Sequence, residues 1–264
     1  MATAASKPRG RLVGVGVGPG DPELVTRQAL RVLAESDRVV APSSAVDAVG
    51  RAEAIVRQAS PELRMERLVF DMTADGAQGG RGAREASHRA AAHALLPWLD
   101  DGEQVAFVTL GDPNIYSTFS SLTAAVRCLR PAMDIGTVPG IMAFQTLAAE
   151  AGAVLLDGTE SLALVTALDG PEALEAAIDD PTRAIVVYKG GRHVPEIAAS
   201  LSRAGRLDGA LMGELLGLPG ERIGPLAQLS TGPATYLATV IVPPRARGGP
   251  GRAAREWRGL GEDG

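Results

Sequence analysis

A single carboxylate stands directly after the most strand-like run of the sequence. The run at residues 105–110 reads VAFVTL, and Gly111, Asp112 and Pro113 follow it. Open α/β sheets bind ligands beyond the carboxyl ends of their strands, where a carboxylate can accept hydrogen bonds from a ribose or an amine. The same side chain could instead cap a helix that begins near Ser117. These residues alone favour ligand binding only slightly.

A glycine-rich loop follows the first apolar run, at residues 12–17. Glycine occupies every second position over residues 14–20, which suits either a tight turn or a close approach of the backbone to a ligand. The GxGxxG fingerprint of dinucleotide sites fails because Pro19 occupies the position of its third glycine, and no GK[ST] sequence of a phosphate loop follows. Turn and ligand loop remain equally good interpretations.

A third loop begins at Lys189 and reads KGGRH. Its cations and glycines suit an anionic ligand, although a solvated turn explains them as well. His88, His93 and His193 have no zinc-like spacing with Cys128, so no metal site is predicted. The sequence also lacks the GxSxG elbow of serine hydrolases. No catalytic residue is assigned from these patterns.

The composition is that of an ordinary globular protein, with 264 residues, 45% hydrophobic and 22% charged. The net charge of -5 and the 3% of aromatic residues disfavour a nucleic-acid surface. Cys128 is the only cysteine, which excludes an internal disulfide and suggests a reducing compartment. No segment is long and apolar enough to cross a bilayer. We therefore expect a cytoplasmic protein with neither membrane nor nucleic-acid partners.

Strand and helix signals alternate along both halves of the chain and predict α/β architecture with mostly parallel sheets. A composition shift at residues 137–140 suggests two domains, 11–136 and 137–244, and flexible tails at 1–10 and 245–264. Strands are predicted at 12–17, 38–41, 105–110, 134–138, 161–167, 184–188, 210–216 and 236–242. Helices are predicted to follow Thr26 and at 85–99, 119–129, 142–151, 171–178 and 194–201.

Four motifs resemble those of the tetrapyrrole methylases in order and spacing, and the resemblance covers residues 12–242. They are GVGVGPGDPELVT (14–26), VAFVTLGDPNIYSTFSSL (105–122), VPGIMAF (138–144) and VVYKGGR (186–192). The resemblance implies two α/β domains with the active-site cleft between them. It assigns a substrate trough and part of the cofactor site to the N-terminal domain, and the rest of the cofactor site to the C-terminal domain. It also implies a homodimer, and S-adenosyl-L-methionine as the cofactor that becomes S-adenosyl-L-homocysteine.

Within that family, LGDPNIYSTFSSL (110–122) is similar to members that methylate precorrin-2 at carbon 20 in cobalamin (vitamin B12) biosynthesis. Tyr116 to Phe119 carry this similarity, since uroporphyrinogen-III methylases typically continue with a phenylalanine- and glycine-rich segment. The implied product is precorrin-3A. Two alternatives remain open: another tetrapyrrole methylase, such as one that methylates cobalt-factor II at the same carbon, and a non-catalytic S-adenosylmethionine-binding protein.

The resemblance also assigns cofactor-binding residues, motif by motif. Backbone groups and Asp112 would hold the polar ends of the cofactor, while apolar side chains pack around adenine and the methylthio group. Met142 departs from the small hydroxyl residue typical of its position. The assigned residues are Pro19, Leu110, Gly111, Asp112, Ile115, Met142, Ala143, Lys189 and Leu216. Candidates for a base that removes the carbon-20 proton are Asp21, His88, Tyr116 and Glu214, and the sequence does not choose among them.

Overall fold

The computed structural model describes residues 10–70, 81–168 and 170–245, without the side chain of Arg81. Contacts divide the chain into two compact units, Met1–Met142 and Ala143–Gly264. The division follows Met142, whereas the sequence placed it after residue 136, because residues 134–138 form a strand of the N-terminal sheet. The expected flexible tails lie outside the described residues, apart from Gly10 and Arg245.

The N-terminal unit contains a five-stranded sheet in the order β3-β2-β4-β1-β5, in which every pairing is parallel. Its strands are β1 (Arg11–Gly16), β2 (Arg38–Ser43), β3 (Glu66–Val69), β4 (Gln104–Thr109) and β5 (Asp134–Val138). Its helices are α1 (Arg27–Glu35), α2 (Arg51–Ala59), α3 (Arg81–Asp100) and α4 (Thr118–Leu129). A short 3₁₀ turn, Pro22–Leu24, precedes α1.

Helices cover both faces of this sheet. Side chains of α1 and α2 pack with Val13 and Val15 of β1, whereas those of α3 and α4 pack with Leu12 of β1 and Phe107 of β4. Successive strand residues point to opposite faces, which explains why adjacent positions of β1 serve different cores. The chain leaves β1 towards β2 and leaves β4 towards β5, in opposite directions. The β1–β4 pair is therefore the topological switch point, where open α/β sheets bind ligands.

Local sequence fixes the start of two of these helices. Thr26 caps α1 by accepting the Ala29 N–H at 3.0 Å, as the sequence predicted. Ser117 caps α4 by accepting the Phe119 N–H at 3.0 Å. Helix α3 runs through Pro97 to its end at Asp100, so the proline does not end the helix.

The C-terminal unit contains a second five-stranded sheet, in the order β6-β7-β10-β8-β9. Its strands are β6 (Ser161–Thr166), β7 (Arg183–Tyr188), β8 (Leu211–Glu214), β9 (Arg222–Pro225) and β10 (Thr239–Val242). Its helices are α5 (Ala143–Glu150), α6 (Glu172–Ile178), α7 (Val194–Arg203) and α8 (Leu226–Leu229). Side chains of α6 and α7 pack with Ile185 and Val187, and those of α5 with the alternate residue Val186.

The expectation of mostly parallel strands is wrong for this second sheet. Only β6 and β7 run parallel among its described pairings, and β10 is antiparallel to both of its neighbours. Strands β8 and β9 are joined by residues 215–221, a connection too short for the crossover that parallel neighbours require. Among the described residues, no helix has the length and apolar character needed to cross a membrane.

Candidate functional site

Loops from β1 and β4 join at the carboxyl edge of the N-terminal sheet. The Val17 N–H donates to the Thr109 carbonyl at 2.9 Å, which extends the strand pairing by one residue. The Gly111 N–H then donates to the Gly18 carbonyl at 2.9 Å. The glycine-rich loop and the Gly-Asp-Pro loop, selected separately in the sequence, therefore form one hydrogen-bonded structure at the switch point.

Three glycines allow the β5 loop to join the same structure. A β-carbon added to Gly16 or to Gly140 would collide with the carbonyl oxygen of Gly111. A β-carbon on Gly140 would also lie 2.8 Å from the Gly16 Cα. Gly111 itself has φ 62°, a left-handed conformation that favours glycine. Close backbone approach explains these glycines better than a turn requirement alone.

Asp112 joins the β4 loop to the β5 loop. Its Oδ2 accepts the Gly140 N–H at 3.1 Å, and its Oδ1 accepts the Asn114 N–H at 2.9 Å. The alternative that Asp112 caps the following helix is wrong, because Ser117 holds that position. The carboxylate therefore fixes the geometry of the edge where the cofactor was expected.

The structure brings most of the N-terminal candidates to this edge. The buried Met142 lies against Gly111, since its Sδ is 3.2 Å from where a Gly111 β-carbon would stand. Leu110 is partly buried against the core, and Pro19 is buried directly after Gly18. The partly buried Ile115 donates its N–H to the Asp112 carbonyl at 3.4 Å.

The three C-terminal candidates lie in two places. Ala143 and Leu216 belong to one apolar cluster, which also includes Tyr188. Burial raises the pKa of the Tyr188 phenol, whose oxygen accepts the Phe144 N–H at 3.1 Å. Lys189 follows β7 with φ 58°, and its Nζ lies 5.8 Å from the centre of the Tyr236 ring.

Thr146 is a candidate ligand contact that the sequence did not predict. Its buried Oγ1 has no hydrogen-bond partner among residues 10–70, 81–168 and 170–245. A buried hydroxyl without a partner is unfavourable, so such a group is a candidate for a ligand contact. Thr146 lies three residues after Ala143 in α5, and that spacing places both on one side of the helix. The sequence signal that could have indicated Thr146 was its helical spacing from Ala143 in VPGIMAFQT (138–146).

Two of the four candidate bases have structural roles in the N-terminal unit. Asp21 Oδ1 accepts the Glu23 N–H at 2.8 Å and so caps the 3₁₀ turn. His88 is buried in α3, where its Nδ1 lies 2.8 Å from the Arg84 carbonyl oxygen and its ring 5.4 Å from that of Phe70. Neither is arranged as a base at the switch point.

The other two candidates differ sharply in exposure. Glu214 is buried, which alone would raise its pKa, but hydrogen bonds from the Thr235 N–H and Arg222 outweigh burial and hold the pKa below its usual value. Glu214 is therefore a poor proton acceptor. Tyr116 is 44% exposed in the β4–α4 loop with φ 49°, an uncommon conformation for a non-glycine residue.

Comparison with known sequences identifies the family to which this chain belongs. The profile of the tetrapyrrole (corrin/porphyrin) methylases matches residues 11–230, from β1 to beyond β9. This chain belongs to that family. The membership expected from the four sequence motifs is thereby confirmed.

Two relatives match nearly end to end. The cobalt-precorrin-2 C(20)-methyltransferase of Salmonella typhimurium is 34% identical over 236 residues, which cover 88% of this chain and 96% of the relative. The precorrin-2 C(20)-methyltransferase of Sinorhizobium sp. is 31% identical over 239 residues, which cover 89% and 95%.

Solved structures support the fold. The methyltransferase CobJ superposes with a TM-score of 0.63 at 23% identity and covers 90% of this chain and 95% of its own. A cobalamin synthesis related protein (CobF) from Corynebacterium diphtheriae superposes with a TM-score of 0.65 at 20% identity, covering 89% and 99%. At these identities the likeness shows the fold alone, and the predicted α/β class is confirmed.

Proposed function

We propose that this chain is an S-adenosylmethionine-dependent C-methyltransferase that converts precorrin-2 to precorrin-3A in cobalamin biosynthesis. The observation that carries the proposal is the shared name of the two end-to-end relatives, both C(20)-methyltransferases of a precorrin-2. The loop sequence LGDPNIYSTFSSL, which suggested the same carbon independently, supports it.

The reaction forms one carbon–carbon bond and breaks one carbon–sulfur bond and one carbon–hydrogen bond. When bound, S-adenosylmethionine supplies a methyl group already activated by its sulfonium, which leaves as the neutral thioether S-adenosylhomocysteine. Carbon 20 of the substrate provides the electron pair and then loses its proton. Because the donor is activated, the contribution of the chain is to bind and orient both molecules and to exclude water.

The residues at the switch point fit a cofactor with polar ends. Leu110, Gly111 and Asp112 are each partly exposed there, and Met142 supplies an apolar surface beside Gly111. The proposed contacts in this unit are Pro19, Leu110, Gly111, Asp112, Ile115 and Met142. In the C-terminal unit they are Ala143, Lys189 and Leu216. The hydroxyl of Thr146, which has no partner in the described part of the chain, adds a donor or acceptor.

A second candidate function is methylation of the cobalt-loaded substrate, which the name of the Salmonella relative favours. The two substrates differ at the ring centre and share carbon 20. Purified protein should be incubated with S-adenosylmethionine and with each form of precorrin-2 in turn, and the products separated by mass spectrometry. Methylation of the metal-free form supports our proposal, whereas methylation of the cobalt form alone would replace it by the second candidate.

A non-catalytic role is tested separately by binding. Calorimetry with S-adenosylmethionine and S-adenosylhomocysteine should show binding of both, because the resemblance to the tetrapyrrole methylases implies this cofactor. Binding without turnover of either substrate would favour a sensor. Failure to bind either compound would contradict both the enzyme and the sensor.

We further propose that the enzyme acts as a homodimer in the cytoplasm. Both statements rest on the family resemblance and on the reducing environment that a single cysteine suggests. Light scattering should give the mass of two chains. The mass of one chain at concentrations used for assays would contradict the dimer.

A further inference from the structure

The carboxylate of Glu214 is bound on both sides within the C-terminal unit. Glu214 ends β8, and 4% of its side chain is exposed. Its Oε2 accepts hydrogen bonds from Arg222, including one from Nε at 2.9 Å, and the two residues are cross-strand partners in the β8–β9 hairpin. Its Oε1 accepts the Thr235 N–H. Both oxygens are therefore engaged before any ligand arrives.

The segment that Glu214 holds lies directly on the loop after β7. The Ala234 N–H donates to the Gly191 carbonyl at 2.7 Å, and a β-carbon on Gly191 would collide with the Thr235 carbonyl oxygen. The next residue, Tyr236, lies beneath the ammonium group of Lys189. A continuous series of contacts thus leads from Glu214 through residues 234–236 to residues 189–191.

The loop after β8 begins directly after Glu214. Leu215 has φ 56°, a left-handed conformation unfavourable for a branched residue, and the Leu218 N–H donates to its carbonyl at 2.8 Å. Leu216, beside it, is buried in the apolar cluster of α5. The Gly217 N–H donates to Glu221 Oε2 at 2.6 Å and completes the turn. Anchoring of Glu214 by Arg222 fixes where this turn starts.

We infer that Glu214 is a positioning residue that holds loops 189–191 and 215–217 in the conformation that binds the cofactor. The inference rests on the proposed function, because Lys189 and Leu216 are its proposed cofactor contacts. Glu214 acts through Thr235, Arg222 and the chain itself and contacts no reacting atom. This role replaces the role of base that the sequence left open for it.

Hydrogen exchange in the ligand-free protein tests the loop assignment without reference to activity. In Glu214→Ala, amides of residues 189–193, 215–218 and 234–236 should exchange at least about tenfold faster, because the acceptor for both the Thr235 N–H and Arg222 is gone. Glu214→Gln keeps one acceptor oxygen and should recover most of the protection. The matched control is Glu53→Ala, which removes a fully buried, doubly ion-paired glutamate from the other unit and should leave these segments unchanged. Unchanged exchange in Glu214→Ala would overturn the inference.

Cofactor binding tests the consequence. Calorimetric Kd values for S-adenosylhomocysteine should rise about tenfold or more in Glu214→Ala and in Gly191→Ala, which disturbs the same contact from the other side. Glu53→Ala should bind as the unaltered chain does. With turnover established, Glu214→Ala should raise KM for S-adenosylmethionine far more than it lowers kcat.

The opposite kinetic pattern would identify a base. Loss of kcat in both Glu214 variants at an unchanged Kd would overturn the inference and return Glu214 to proton transfer. If the unaltered chain binds no S-adenosylhomocysteine, the proposed function is wrong, and so is the inferred effect of Glu214 on cofactor binding. The exchange result decides the loop assignment independently.

Discussion

Asp112 accepts the backbone N–H of Gly140 at 3.1 Å, a contact that joins residues 28 positions apart in the sequence. It connects the loop after β4 to the loop after β5 across the intervening strand β1. The cofactor site proposed at this edge depends on that connection, since Gly111 and Met142 lie on the two loops that it joins.

Replacement of Asp112 should weaken cofactor binding while the protein stays folded. In Asp112→Ala the Gly140 and Asn114 N–H groups lose their acceptor, and this partly exposed site should lose about 1–2 kcal/mol of unfolding free energy. The Kd for S-adenosylhomocysteine should rise about tenfold or more. Asp112→Asn keeps one acceptor oxygen, so its Kd should lie between those of the unaltered chain and Asp112→Ala. An unchanged Kd in Asp112→Ala would show that the carboxylate only shapes the loop.

A methyl group at Gly140 should disrupt the junction of the three loops. Gly140→Ala places its β-carbon against the Gly111 carbonyl, so backbone must move, and we expect a loss of about 2 kcal/mol or more together with weaker cofactor binding. Gly232→Ala is the control, because a β-carbon there meets no atom within 4 Å. Urea unfolding and calorimetry measure both effects. Equal stability of the two variants would contradict the packing described at this edge.

Thr146→Val separates stability from binding. Valine has nearly the shape of threonine and removes a buried hydroxyl that has no described partner, so the ligand-free protein should become about 1 kcal/mol more stable. If the hydroxyl bonds the cofactor, the same variant should bind S-adenosylhomocysteine several-fold less tightly. Thr123→Val, which loses a bond to the Ser120 carbonyl in α4, should leave the Kd unchanged. Unaltered affinity in Thr146→Val would remove Thr146 from the proposed site.

Acid stability should depend on Glu53. Hydrogen bonds from Arg67, opposed by burial and assisted by Arg57, hold the pKa of Glu53 below its usual value. Such a carboxyl stabilises the fold fully above its unfolded-state pKa, and the contribution is lost as pH falls through the lower folded-state pKa. Because both arginines are partly exposed, Glu53→Gln should lose about 2–3 kcal/mol at pH near 7.

The pH dependence of the free energy of unfolding tests the role of the Glu53 carboxylate. The difference in unfolding free energy between Glu53→Gln and the unaltered chain, measured in urea, should be largest at neutral pH and should shrink as the pH falls below the unfolded-state pKa of a glutamate, about 4.3. A difference that stays constant over this interval would show that the carboxylate charge contributes nothing. Cofactor affinity at neutral pH should not change, since the partners of Glu53 are Arg57 in α2 and Arg67 in β3.

The sequence predicted the N-terminal sheet well because its signals are local. The apolar run of β4 ends at Gly111 and Asp112, and Thr26 marks the start of α1. The interval of residues 42–82 gave no clear pattern, although α2 and β3 lie there, since β3 has only four residues. Which backbone groups Asp112 would meet could not be predicted, because Gly140 approaches it only through the order of the strands.

Two residues of the run from Tyr116 to Phe119, which carries the similarity to the carbon-20 methylases, have structural roles. Phe119 is 1% exposed and lies beneath β1, where a β-carbon on Gly14 would collide with its ring. Ser117 is engaged as the cap of α4, and its hydroxyl lies 3.0 Å from that of Thr109. Of the residues in this run, Tyr116 is left exposed. Helix capping and core packing thus account for conspicuous residues that the motif alone could not distinguish from substrate contacts.

The antiparallel part of the second sheet lay beyond what local pattern can reveal. Strand β9 reads RIGP and carries no run of β-branched residues, so its sequence does not predict a strand. Its antiparallel pairing with β8 follows from the short connection at residues 215–221. Glu214 was noticed as a carboxylate, but its pairing with Arg222 depends on the register of that hairpin. Long-range register decides the role of such residues.

The central claim is transfer of a methyl group to carbon 20, and labelled turnover tests it most directly. The protein should be supplied with metal-free precorrin-2 and S-adenosylmethionine carrying a ¹³C-labelled methyl group, and the product examined by mass spectrometry and NMR. We predict one added methyl group, located at carbon 20, with S-adenosylhomocysteine formed in equal amount. A label on any other carbon, or no transfer to either the metal-free or the cobalt-loaded substrate, would contradict the account.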